Sequence, residues 1–241
     1  MRPQNIWKKA ETVVSQGLKV VSERASLLIT SAEVQKDLGN QPARLSKLRQ
    51  AVDADLASPV ARYLLGRAYR DQNLPLKTLE VLDPIIKNDF KEVRSYVEYT
   101  RAMLATGESI KKAAATLVQC KLDGETEPAF IGLYGGLLYL DGKYDEALRL
   151  WENAKGLDLS DDERTRRQFA PHDHATGTRV RFTGQVVHQK PNYVLIQPDE
   201  GPVVISRTTC VDKTTLEKGL KIEFDLSFSA KGPLAKHIRL I

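Results

Sequence analysis

A chain of 241 residues, 41% hydrophobic and 28% charged, is long enough for two ordinary domains, each with its own core. No apolar run is long enough to span a bilayer and the N-terminus lacks the apolar segment of a secretion signal, so a cytoplasmic setting without membrane contact is expected. The net charge of +5 permits an acidic partner without demanding one, and two isolated cysteines, Cys120 and Cys210, exclude a disulfide framework or a cysteine zinc site.

Turn residues Asn5, Gly39, Asn73, Gly107 and Gly142 recur at intervals of 34, 34, 34 and 35 residues. Gly and Asn tolerate positive φ at a helix C-terminus, which gives this register a mechanical reason. Around Asn5 only a second helix follows, with Trp7 and Ala10 matching Tyr144 and Ala147. Residues 5 to about 22 therefore read as half a repeat. A lone capping helix, one long helix running into 23–38, and the tail of a longer solenoid all fit. After Gly39, Leu48, Ala51 and Ala54 keep phase, with Arg44 where a small residue is expected. Leu65-Gly66 and Tyr69 precede Asn73, and Leu82, Ile85 and Asp89 follow it. One extra residue after Gly107 precedes Ala113, Leu117 and Cys120. The last copy is the most regular: Gly135, Leu138, Ala147, Leu148, Trp151, Ala154 and Leu157 form one stripe on either side of Gly142. Gly135 and Ala147 are small where two helices must approach, while Tyr134 and Trp151 fill the space around them.

Helix, tight turn and helix at a period near 34 residues resemble the tetratricopeptide repeat, with four repeats expected. The resemblance implies that first helices line a concave groove. Tyr63, Arg67 and Arg70 would stand there, with Arg94 and Arg101 one repeat on, as candidates to hold a protein or peptide segment, acidic or ending in a carboxylate, or RNA phosphates. Ser160-Asp161-Asp162-Glu163 has the form of a capping box, so a short last helix through about Phe169 is expected to close a solenoid spanning 1–170. Residues 171–177 read as linker. His172-Asp173-His174 lacks further clustered ligands and reads as solvated loop, so no metal and no other cofactor is expected.

From Thr178 the pattern changes to short runs rich in Val, Ile, Thr and Phe. Strands are expected over 179–188, 193–197, 202–207, 221–228 and 235–240, enough for a small closed barrel over 178–241. Val194-Leu195-Ile196-Gln197-Pro198-Asp199-Glu200-Gly201, Thr215-Leu216-Glu217-Lys218-Gly219, Phe224, and Lys231-Gly232-Pro233-Leu234-Ala235 with the closing Ile238 resemble, in order and spacing, a cold-shock domain of the oligonucleotide-binding fold. That resemblance implies binding of single-stranded RNA or DNA, with bases stacked on strand aromatics and Lys and Arg along the phosphates. The motif positions here hold Tyr193 but Leu195, and Val203-Val204-Ile205-Ser206 in place of the stacking Phe and His. The residues left for the task are Tyr193, His188 and Phe182, with Arg179, Arg181, Lys190 and Arg207 toward phosphate.

No phosphate-cradling glycine loop, His-Glu-x-x-His pair or nucleophile context occurs, so a non-enzymatic role is expected. The fold class that follows is multidomain: an all-α helix-turn-helix repeat solenoid plus a small all-β five-stranded barrel of oligonucleotide-binding type. Two functions fit: an adaptor joining protein to single-stranded nucleic acid, and a protein-interaction or regulatory module whose barrel has lost nucleic-acid binding. The character of the face around Tyr193 discriminates them.

Overall fold

Gly39, Asn73, Gly107 and Gly142 have φ of 75°, 56°, 87° and 77°, the left-handed conformation that the repeat register requires. At each, two backbone bonds close the preceding helix in the same way. Gly39 N–H donates to Lys36 O and Asn40 N–H to Gln35 O, and the pair recurs at Asn73/Leu74, Gly107/Glu108 and Gly142/Lys143. The computed structural model describes residues 9–14, 24–157, 169–173, 175–207 and 216–241; Asn5 and Cys210 lie outside them. The chain divides into two compact units, 1–102 and 103–241.

The first unit contains α1 (Arg24–Asp37), α2 (Gln41–Ala54), α3 (Pro59–Asp71), α4 (Pro75–Lys87) and the start of α5 (Val93–Ala105). Residues 9–14 are helical, and Gln35 Nε2 donates to Glu11 Oε1 at 2.5 Å. Asn40 and Ser58 cap α2 and α3 through their side chains, and Pro59 and Pro75 stand in the first helical turn, where no N–H is needed. Leu48, Leu82 and Ile85 are buried in step with the repeat, and a Cβ on Gly66 would meet Leu82 at 2.9 Å. The large Arg44 is accommodated at its small-residue position, only 2% exposed, because Nη1 reaches Asp71 and Gln41 at 3.4 Å each.

The second unit contains α6 (Ile110–Val118), the short α7 (Lys121–Gly124), α8 (Pro128–Leu140), α9 (Tyr144–Ala154) and five strands: β1 (Arg181–Gln189), β2 (Tyr193–Pro198), β3 (Val204–Arg207), β4 (Lys221–Ser229) and β5 (Gly232–Leu240). The strands close a barrel in the order β1-β2-β3-β5-β4, antiparallel except for β3 beside β5. Val186, Val194, Ile196, Ile222, Phe224, Leu226 and Ala235 fill it. β5 starts three residues earlier than the sequence indicates, since Gly232 at φ 102° completes a tight hairpin and admits Pro233 to the strand opposite Phe228.

Every residue of α8 from Pro128 to Tyr139 is buried. One side of the helix meets α9, with Trp151 against Gly135; the other meets the barrel, with Phe228 and Phe169 against Gly136. Phe228 packs within 5.4 Å of Tyr139 and 6.1 Å of both Trp151 and Phe169, ring centre to ring centre. Phe169 therefore corrects the expected last helix at its end: it is extended, exchanging two backbone hydrogen bonds with Phe228, while 158–168 lie outside the described residues. His172 bridges Arg179 and the Asp173 carboxylate accepts from Thr176 N–H, while His174 lies outside the described residues. No helix among the described residues is long and apolar enough to cross a membrane.

Candidate functional site

Strand alternation builds one outward face on β1, β2 and β3. Val194 and Ile196 point into the barrel, so Tyr193, Leu195 and Gln197 point out. Tyr193 lies opposite Arg207, and Leu195 opposite Ile205 on one side and His188 on the other. A bulge between Val186 and His188 shifts β1 by one residue and brings His188 to this face. Lys190 caps the turn, its N–H donating to Tyr193 O at 2.8 Å, and its side chain is exposed. Lys190 and Arg207 enter no ion pair among the described residues. The same face also carries an aliphatic row in which Leu195 pairs with Ile205 and Ile205 with Leu234; Ile205 is 47% and Val203 45% exposed.

Three of the barrel residues named from sequence stand elsewhere. Phe182 pairs with Phe224 across β1 and β4 and stacks on it at 6.2 Å, on the side of β1 opposite Arg181 and Thr183. Arg181 donates through Nε to Glu223 at 2.9 Å, through Nη1 to Asp225, and through both terminal nitrogens to His237 O. Arg179 reaches the same Asp225 at 3.4 Å. Sequence spacing could not show this, because the carboxylates lie more than 40 residues away.

Burial by itself would raise the Asp225 carboxyl, but the hydrogen bonds and charges of Arg181 and His237 hold it below the ordinary aspartate range. A group depressed in the folded state contributes stability that is present above its unfolded pKa, about 3.9, and is lost as pH falls through the folded value. Acidification below about pH 4 is therefore expected to lower the melting temperature. Asp225→Asn should melt lower at pH 7 and fall less on acidification; an identical acid response in the variant would exclude this pairing as the source.

In the first unit Arg70 donates from Nη1 to both oxygens of Glu98, at 2.7 and 2.8 Å, and from Nη2 to Asp71 at 2.9 Å. Arg101 donates to the same Glu98 at 3.2 Å. Glu98 is 5% exposed; its i,i+3 spacing to Arg101 is a local signal in the sequence, whereas its pairing with Arg70, 28 residues away, has none. Arg70 and Arg101 are thus tied together by a buried carboxylate. Arg67 enters no ion pair among the described residues; Tyr63 is half-buried and Arg94 exposed. Among the described residues no group of three or more His, Cys, Asp or Glu side chains gathers as a metal site.

No protein family and no curated protein matches the chain. Solved structures do. PilF of Pseudomonas aeruginosa aligns with a TM-score of 0.56 at 14% identity, over 65% of this chain and 71% of its own. MamA of Desulfovibrio magneticus aligns at 0.51 with 14% identity, over 64% and 88% respectively. A thermophilic TPR protein of Thermus thermophilus aligns at 0.49 with 20% identity, over 64% and 84%. At these identities the likeness is one of fold. With the helix pairs above, the fold is a tetratricopeptide-like helical solenoid followed by a five-stranded closed barrel.

Proposed function

We propose that this chain is a non-catalytic, cytoplasmic adaptor. Its solenoid, residues 1–170, holds a protein or peptide partner, and a cold-shock-like barrel, residues 178–241, contacts single-stranded RNA or DNA. The observation that carries the reading is the cross-strand pair Tyr193–Arg207 beside His188 and Lys190, a stacking ring and three potential phosphate or base contacts on one sheet face. The closed β1-β2-β3-β5-β4 barrel supports it as a scaffold of the kind the cold-shock resemblance implies. Recruitment, with no covalent step, is the mechanism. In the solenoid, Arg67 with Tyr63 offers the groove's contacts and Arg94 is exposed one repeat on, while Arg70 and Arg101 are held by Glu98.

A second reading has its own observation. The aliphatic row Leu195–Ile205–Leu234 favours an apolar protein surface, which would make the chain a protein-interaction module. Fluorescence anisotropy of a labelled single-stranded oligonucleotide against the full chain separates the two. On the adaptor reading Tyr193→Ala weakens binding about 5- to 150-fold, the value of one base–aromatic stack. No binding at low salt would leave the protein-interaction module.

A further inference from the structure

The outward sides of β1, β4 and β5 form a second basic surface, and the bulge in β5 creates it. Asp225 pairs with Lys236, but Glu223 pairs with Arg239, so β5 places two residues where β4 places only Phe224. One of the two, His237, has φ 49°, and its carbonyl accepts from Arg181 at 3.1 and 3.2 Å. The other, Ile238, is buried. The extra residue brings Lys236 and Arg239, three apart in sequence, to the same outer side. Lys221 joins them from β4, beside Gln185 of β1.

The carboxylates on this surface do not cancel its charge. Asp225 is 4% exposed beneath Arg179 and Arg181, and Glu223 is held by Arg181. Arg179, Arg181, Lys221, Lys236 and Arg239 stand against Glu223, Asp225 and Asp199, whose carboxylate accepts from Thr183 on β1, a net +2 before His237 is counted. Lys221 enters no ion pair among the described residues, and Arg239 lies opposite Glu223, on which its charge acts without an ion-pair contact. Among the described residues, the face around Tyr193 carries two cations, Lys190 and Arg207. β1 belongs to both surfaces: Gln185 lies opposite Gln197 of β2 on one side and Lys221 of β4 on the other. With neighbouring strands about 4.8 Å apart, β5 lies about 14 Å across the sheet from β2, and Tyr193 stands four residues along β2 from Gln197, about 13 Å more along the strand. That is short for a site of about 4–16 nucleotides.

We propose that Lys221, Lys236 and Arg239, on the outer side of β4 and β5, hold the phosphate backbone of the single-stranded nucleic acid whose bases lie against Tyr193. The inference rests on the nucleic-acid reading and adds where the strand runs: across β1, away from β3. Arg179 and Arg181 are positioned by their carboxylates and form the floor of this path.

The test is anisotropy of a fluorescein-labelled oligo-dT of about 16 nucleotides with the full chain over a NaCl series. Wild type is compared with Tyr193→Ala and with Lys221→Gln/Lys236→Gln/Arg239→Gln, each checked for an unchanged melting temperature. The triple variant is expected to flatten the plot of log affinity against log salt by about 2, at about 0.7 per lost phosphate contact. Tyr193→Ala should weaken binding and leave the slope alone. A triple variant with wild-type slope and affinity overturns the path and leaves the Tyr193 site standing. A flattened slope with Tyr193→Ala inert supports the path and removes Tyr193 from the site. Wild type that fails to bind overturns both. If the triple variant melts early, Lys221→Gln alone is read, with a slope change of about 0.7 expected and none overturning the proposal.

Discussion

Phe228→Ala is expected to destabilise the second unit by about 3–5 kcal/mol, the usual cost of deleting a fully buried aromatic ring. Phe228 is fully buried and touches three rings, Tyr139, Trp151 and Phe169, while also filling the space over Gly136. Its backbone bonds to Phe169 remain in the variant, so the change isolates packing from pairing. For a unit of this size the melting temperature should fall on the order of 10 °C. Trp151 reports the same event, because its ring is stacked on Phe228 at an interplanar angle of 8°. In a Trp7→Phe background, Trp151 emission should shift to the red in Phe228→Ala before global unfolding. An unshifted spectrum with a loss under about 1 kcal/mol, well below the range for such deletions, would mean that Phe228 does not hold barrel and helix together.

Gly184→Ala is expected to be as damaging through a different cause. A Cβ there would lie 2.3 Å from Gln197 O and 2.8 Å from Pro198 Cα, and both obstacles are backbone. No rotamer change relieves such a contact, so β1 and β2 must separate or the bulge must move. Overpacking of this kind costs about 3 kcal/mol or more when the neighbours cannot yield. Gly184 pairs with both Pro198 and Ile222, so the damage should reach both sides of β1. Denaturant unfolding with near-ultraviolet circular dichroism measures it. A variant within about 1 kcal/mol of wild type would show that β1 and β2 accommodate a methyl group by a shift, the smaller cost such insertions carry where neighbours can yield.

Tyr139 connects the barrel to the last helix pair through a polar contact as well. Its hydroxyl donates to Pro202 O at 3.4 Å, and burial pushes its pKa up, which keeps the proton in place as donor. The β2–β3 connection at Gly201-Pro202 is therefore seated on α8, next to Val203 and the start of β3.

The repeat register was legible in the sequence because it depends on local physics. Positive φ at Gly39, Asn73, Gly107 and Gly142 is a property of residue type at a helix end, and small residues at Gly66 and Gly135 are needed wherever two helices touch. The five strands were legible for the same reason, from alternation and turn residues. The packing of the barrel on α8 has only one signal in the sequence. Phe130 to Leu140 contains no charged side chain, and a helix apolar all round needs cover on every side, but its composition does not say which element supplies that cover.

Other features depended on partners distant in the chain. Glu98 pairs with Arg70 and Arg101, and Asp225 with Arg179 and Arg181; Arg101 meets Glu98 by i,i+3 spacing on one helix, whereas only the tertiary fold brings Arg70 to Glu98 and Arg179 and Arg181 to Asp225. The bulges at His188 and His237 likewise decide which side chains face outward, since one extra residue reverses the alternation of a strand. Sequence by itself determined the elements, their order and the pairing of small with large residues, because those follow from interactions among near neighbours. Tertiary structure alone decided which cations remain available to a ligand, because a charge is neutralised by whatever lies nearest in space.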